Sequence, residues 1–239
     1  MSTFLELCQA TRLECGIPGS GPTSVTNQTG ELARIVGWVR ESWTDLQNEQ
    51  NAWRWMTGNF TIQTADSDPH YAYNDSAVTD ADTGVAISRF ARWWTENIQI
   101  YLTSGGLGSR HMIPYTGWDS YRFTWLTGSQ PNGYPACSSI DPQNRLRLGP
   151  VPNGIYTLEG EYQKSAQILA EDDDTPEMPA RFHRLIVAMA MKRYAAFEAA
   201  PEVHAAADMI ENGERGRPGL RAALLADQLQ EPRFAAPLA

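Results

Sequence analysis

Gly16-Ile17-Pro18-Gly19-Ser20-Gly21-Pro22-Thr23 sets two glycines and a threonine at the spacing of a phosphate-cradling loop. Such a loop holds phosphate through backbone N–H groups and a lysine ammonium. Pro22 stands at the lysine position and offers neither. No strand pattern precedes it, so the segment reads as a turn between helices. His70, His111, His183 and His204 lack the mutual spacing, or the neighbouring cysteines, of a zinc site. Glu171-Asp172-Asp173-Asp174 gathers hard oxygen ligands, but without the alternating ligands and glycine of a calcium loop. It reads as a solvated acidic loop favouring the positive end of the helix that follows. Gly106-Leu107-Gly108-Ser109-Arg110 breaks the Gly-x-Ser-x-Gly pattern of a serine nucleophile. Carboxylate pairs for glycoside cleavage could be drawn from distant segments, and no spacing here supports them. The residues point to no catalytic group, metal or cofactor, and the expectation is a protein that is not an enzyme.

Composition narrows the partners. The net charge is −9 over 239 residues, with Lys164 and Lys192 as the lysines. Neutralising phosphates takes clustered cations, so sequence-specific nucleic-acid binding is disfavoured, although DNA could pass a mildly repulsive wall. No apolar run approaches the ~20 residues that cross a bilayer, and the first residues lack the basic-then-apolar order of a secretory signal. Cys8, Cys15 and Cys137 are odd in number and read as buried small apolar residues. Eight tryptophans are an excess that suits large cores and subunit contacts.

The elements that would carry these residues fall in the order helices, strands, helices. Residues 2–15 form an amphipathic helix ended by Gly16-Ile17-Pro18-Gly19. Leu32, Val36, Val39, Trp43 and Leu46 then repeat at helical spacing. That helix is predicted from residues 26–29 to about Met56, on the order of 40 Å. Alternation over residues 60–64 and 98–103 predicts strands, with a long polar loop at 66–83 and a short helix at 115–126. A hairpin is expected from Arg145, Leu146 and Leu148, through Pro150, Pro152, Asn153 and Gly154, to Tyr156, Leu158 and Tyr162. Asn153-Gly154 would supply the positive φ of its reversal. Pro176 or Pro179 opens a helix with Phe182, Leu185, Ile186, Met189 and Phe197 as its apolar positions. Pro201 opens a second helix ending at Asn212-Gly213. Leu220, Leu224, Leu225 and Leu229 line a third.

The predicted class is α+β: a bundle of N- and C-terminal helices (1–58 plus 176–230), an inserted antiparallel β-rich lobe (59–175) and a mobile C-terminal tail (231–239).

An ordered series of motifs runs through this frame. Asp141-Pro142-x-x-Arg145-Leu146-x-Leu148-x-Pro150-x-Pro152 is followed by Tyr156-x-Leu158 and Tyr162, then Leu169 and Asp173-Asp174-Thr175-Pro176-x-x-Pro179. Phe182-His183-x-Leu185-Ile186-Val187 closes the series. With the long helix and Trp53-x-Trp55-Met56 ahead of the first strand, the chain resembles the head-to-tail adaptor proteins of tailed bacteriophages over most of residues 5–200. The resemblance implies a structural virion protein, found in the neck or tail and in the host cytoplasm during assembly. It implies a homo-oligomeric ring, commonly a dodecamer, joining the portal protein to a tail or nozzle protein, with double-stranded DNA passing through its lumen.

Arg217, Leu220, Arg221, Leu224, Leu225, Arg233 and Phe234 are the candidates for the portal or subunit interface. They form a basic and apolar segment on an acidic chain, and the leucine stripe needs a cover. A competing class is a carbohydrate- or ligand-binding module using Trp118, Tyr121 and Trp125 as stacking platforms. A tail-associated hydrolase is the third, for which no nucleophile or acid–base pair stands out.

Overall fold

The computed structural model describes residues 2–50, 53–214 and 216–228. The chain is α+β and divides into two compact units, one of helices from residues 2–55 and 166–228 and one of strands from residues 56–165.

The helical unit starts at α1 (Phe4–Glu14). Thr3 caps it: its hydroxyl accepts from the Glu6 N–H while the Glu6 carboxylate accepts from the Thr3 N–H, so two orphan donors are satisfied reciprocally. The N–H groups of Phe4 and Leu5 donate to the carbonyls of Asp174 and Asp172. The acidic loop therefore closes the start of α1, not the helix that follows it as the sequence suggested. Asp172 also accepts from the Val25 N–H and Asp174 from those of Ala170 and Glu171, which fixes the loop on its own backbone.

Helix α2 (Gly30–Asn48) buries Ile35, Val36, Val39, Trp43 and Leu46. It ends eight residues before Met56, the limit expected from sequence. The stripe stops at Leu46, and the indole N–H of Trp53 donates back to the Leu46 carbonyl, one of the orphans at the helix end. A strap from residue 166 lies along α2. Arg40 Nε donates to the Leu169 carbonyl, and Gln47 both accepts from the Gln167 N–H and donates to the Gln167 carbonyl. Gln167 in turn grips Thr175 and Glu177. The sequence placed residues 166–175 in the lobe; here they count with the helices.

Beyond Pro179 a 3-10 turn (Ala180–Phe182) leads into α4 (His183–Glu198), the central helix, which packs on α1, α2 and α5 (Pro201–Asn212). Its buried Ala188, Ala190 and Ala195 permit that close approach. Phe197, expected on the apolar face, is 56% exposed. Helix α6 (Leu220–Gln228) follows a short hairpin of β10 (Gly213–Glu214) and β11 (Arg217–Pro218).

In the second unit, β9 (Tyr156–Gln163) is the spine. It pairs along its length with β1 (Thr57–Gln63), while its other edge is shared by β5 (Gln99–Leu102) and β4 (Arg92–Trp93). Strands β3 (Val78–Asp80) and β6 (His111–Met112) extend this sheet beyond β1 and β5. A second sheet runs β2 (His70–Tyr71), β8 (Leu146–Gly149), β7 (Cys137–Ile140). Residues 66–83 thus contribute two short strands where a plain loop was expected. Phe60, Ile62, Ile100, Leu146, Leu148 and Leu158, all fully buried, form the centre of the core.

The expected hairpin is absent, because β8 and β9 belong to different sheets. Neither Asn153 nor Gly154 takes a positive φ. Residues 150–155 cross from one sheet to the other, held by the Gly154 carbonyl accepting from Thr64 Oγ1 and by Asn153 accepting from the Tyr156 hydroxyl. The true reversal joins β7 to β8 at Asp141-Pro142-Gln143-Asn144, where Asn144 adopts φ 60°.

Candidate functional site

Within the helical unit, α4 gives way to α5 through Ala199, left-handed at φ 54°, and Pro201 at the first helical position. The end of α5 is crowded. A Cβ at Gly213 would lie 2.1 Å from the Arg217 carbonyl oxygen, and one at Gly219 would lie 2.2 Å from that of Glu211. Both glycines are required for the backbone to fold back so closely. The product is an open groove of about 500 Å³ between the start of α4, the end of α5 and the β10–β11 hairpin. Arg181, Arg184 and Arg217 bring cationic groups to it, Met209 and Leu220 supply apolar surface, and Glu214 is its acidic member.

Beside the groove, α6 is fixed by ion pairs. Arg221 binds Glu211 and Glu49, and Lys192 binds Asp208 at 2.8 Å and Glu211 at 2.9 Å. Burial works against both cations, but their hydrogen bonds to these carboxylates win and raise both pKa values. Glu211 is only 7% exposed, so it sits between two opposite charges as a buried carboxylate must.

This geometry splits the interface candidates. Arg217 and Leu220 line the groove. Arg221 is engaged in the ion pairs, Leu224 is fully buried and Leu225 half-buried. The stripe is therefore covered, at Leu224, by the chain itself. Arg233 and Phe234 lie outside the described residues.

The motif residues of the β-unit serve structure. Asp141, its side chain buried, accepts from the N–H groups of Gln143 and Arg145 and from Nε of Arg145 (2.8 Å) and Arg147 (3.0 Å). Although burial opposes its charge, these bonds hold the carboxyl below the ordinary range. Leu146 and Leu148 are core, and Pro152 is buried in a bridge to Gly133. In the helical unit, Asp174 and Thr175 anchor the strap, Pro176 is buried and Pro179 starts the 3-10 turn.

In the β-unit, Asp82, Arg110, Glu159 and Glu161 line an open cavity of about 520 Å³, where Arg110 pairs with Glu159. Among the described residues no group of three or more His, Cys, Asp or Glu could hold a metal, and no helix is long and apolar enough to cross a membrane. The phosphate-loop look-alike is the turn leaving α1: Gly16 takes φ 69°, the Ile17 N–H donates to the Arg12 carbonyl, and the Pro22 carbonyl accepts from Gln9. Burial pushes the Cys8 and Cys15 thiols up to about 12, far from nucleophilic character.

Of the aromatic platforms, Tyr121 is buried, while Trp118 and Trp125 are half-buried. Helix α3 (Trp118–Trp125) buries Tyr121, whose hydroxyl donates to the Leu148 carbonyl. Trp118 stacks on Tyr121 at 5.8 Å, with the Arg147 guanidinium above it, and Trp125 lies against Gly149.

Part of the groove was legible along the chain, since Arg217 and Leu220 stood out in sequence. Arg181, Arg184 and Met209 did not, because they reach it from other turns of the chain. Residues 2–237 match the family model described as SU10 adaptor protein. No curated protein matches the chain.

Proposed function

Since the chain belongs to the SU10 adaptor protein family, we propose that this phage adaptor forms a ring between the portal and the tail and lines the channel through which DNA leaves. The family match over residues 2–237 carries this reading. A net charge of −9 suits a channel wall that does not retain DNA. Rings of this kind repeat one heterologous contact around an axis, and about a dozen copies is the number the resemblance implies. The portal contact falls to the end of the C-terminal segment, with Arg233 and Phe234 as its anchors. The protein acts by holding surfaces together, without catalysis or cofactor, in the virion and, before that, in the host cytoplasm.

Mixing the full chain with rings of the cognate portal protein and imaging by cryo-EM tests this. The expected result is a symmetric layer of adaptor density on one face of the portal. Removal of residues 229–239 leaves the Arg221 ion pairs in place. It is expected to give a folded subunit that no longer joins the portal. Unchanged stoichiometry in that variant would move the portal contact elsewhere.

A further inference from the structure

A second feature of the helical unit lies away from the groove. Trp38 on α2 packs against Phe197 (5.8 Å between rings) and Tyr194 (6.1 Å) on α4, with the Arg34 guanidinium 4.5 Å from the Phe197 centroid. Phe197 is 56% exposed and Trp38 only half-buried, so an aromatic patch opens to solvent at the C-terminal end of α4. Glu198 follows Phe197, Glu31 stands one turn before Arg34 on α2 and Glu202 lies in the first turn of α5, so three exposed acids surround the patch. Burial first, then the Cys15 thiol and these carboxylates, push up the Tyr194 hydroxyl pKa. Tryptophan, tyrosine and arginine are the residues that most often anchor protein contacts.

The groove opens at the other end of the same helix. Arg184 and Phe197 are thirteen residues apart on α4, which is about 20 Å along the axis and roughly 140° around it. The two surfaces are complementary in charge. Arg34 is the cation within the acidic patch, and Glu214 is the one acid among the described residues that line the groove beside three arginines, so the lining residues of each surface keep a net sign. Arg181 and Arg184 also meet Asp227 and Glu14 of their own chain, but all four side chains are at least one-third exposed, and such pairs exchange readily for new ones. Two acidic patches repel each other, as do two cationic grooves. Like-with-like pairing across a two-fold axis is thereby disfavoured and patch-to-groove pairing favoured.

We infer that the Trp38–Phe197 patch of one copy seats in the Arg181–Arg184–Arg217 groove of the next, with Phe197 against Met209 and Leu220, as a head-to-tail contact. This rests on the ring reading and supplies its lateral interface. Because the two surfaces lie on different sides of one helix, the contact is heterologous and propagates from copy to copy.

The test is the mass distribution of the full chain, alone at rising concentration and on portal rings, by mass photometry. One variant reverses the groove (R181E/R184E/R217E), another the patch (E31R/E198R/E202R); all six positions are exposed, and thermal melts confirm that each variant folds. Each reversal alone is expected to weaken self-association by about tenfold or more. The equimolar mixture, in which opposite charges meet again at every contact, is expected to restore it. Assembly by both variants at the wild-type level would overturn the contact and leave the adaptor reading standing. Loss in each variant without recovery in the mixture would overturn it equally. A wild-type chain that forms no ring, alone or on the portal, would remove the ring reading and this contact together.

Discussion

Asp141 offers the sharpest perturbation of the β-unit. Its side chain is inaccessible to solvent, and its two oxygens serve four donors: the N–H groups of Gln143 and Arg145, and Nε of Arg145 and Arg147. Asp141→Ala removes all four acceptor contacts and leaves the Arg147 guanidinium, 14% exposed, without its counter-charge. Breaking a buried pair from one side costs about 3–5 kcal/mol, a large part of the ~5–15 kcal/mol that holds a domain together. Asp141→Asn keeps an oxygen for the two turn N–H groups but loses the charge facing the arginines, so about 1.5–3 kcal/mol is expected. Urea unfolding followed by hydrogen exchange in peptides covering residues 137–149 reads this unit by itself. The carboxyl is held below its ordinary value of 3.8 in the folded chain, so its contribution is complete above that pH and is lost as pH falls through the folded pKa. A cost below about 1 kcal/mol for the alanine variant, or an acid-side stability loss unchanged by Asp141→Asn, would refute the role given to the turn.

Gly160 lies opposite Phe60, and a Cβ there would sit 2.7 Å from the ring. Gly160→Ala should cost about 1–3 kcal/mol by overpacking, whereas Gly154→Ala, with open space and no positive φ, should melt like the wild type. Trp43 is fully buried and stacks on Trp55, so Trp43→Ala should cost about 3–5 kcal/mol in a chemical-denaturation series. His183 accepts from the Ser2 N–H at Nδ1 and donates from Nε2 to the Met178 carbonyl, which fixes the neutral ring; burial, the largest cause, lowers its pKa from 6.5. Stability from the neutral ring is thus complete above 6.5 and falls as pH drops toward the folded pKa. His183→Gln should flatten the melting temperature between pH 7.5 and 5, and a wild-type profile already flat there would exclude the effect.

Local periodicity carried far in this chain. The stripe of Val36, Val39, Trp43 and Leu46 determined α2 and its buried face, Pro201 and Gly213 bracketed α5, and alternation marked β1, β5, β8 and β9, because these signals depend on neighbours a few residues away. The ordered motifs determined the family for the same reason, being strings read along the chain. Pairing was decided by tertiary structure alone. Asn153-Gly154 has the composition of a tight turn, yet β9 is captured by β1 over its whole length, and this long-range ladder, with the Thr64 hydroxyl on the Gly154 carbonyl, outweighs the local preference. Helix α2 stops where the Trp53 indole returns to the Leu46 carbonyl, and the acidic loop closes α1, more than 150 residues away in the chain; neither contact leaves a local trace. The groove is of the same kind. Arg217 and Leu220 could be singled out from their composition, but only the folding of α4, α5 and the glycine-closed hairpin brings Arg181, Arg184 and Met209 to the same surface.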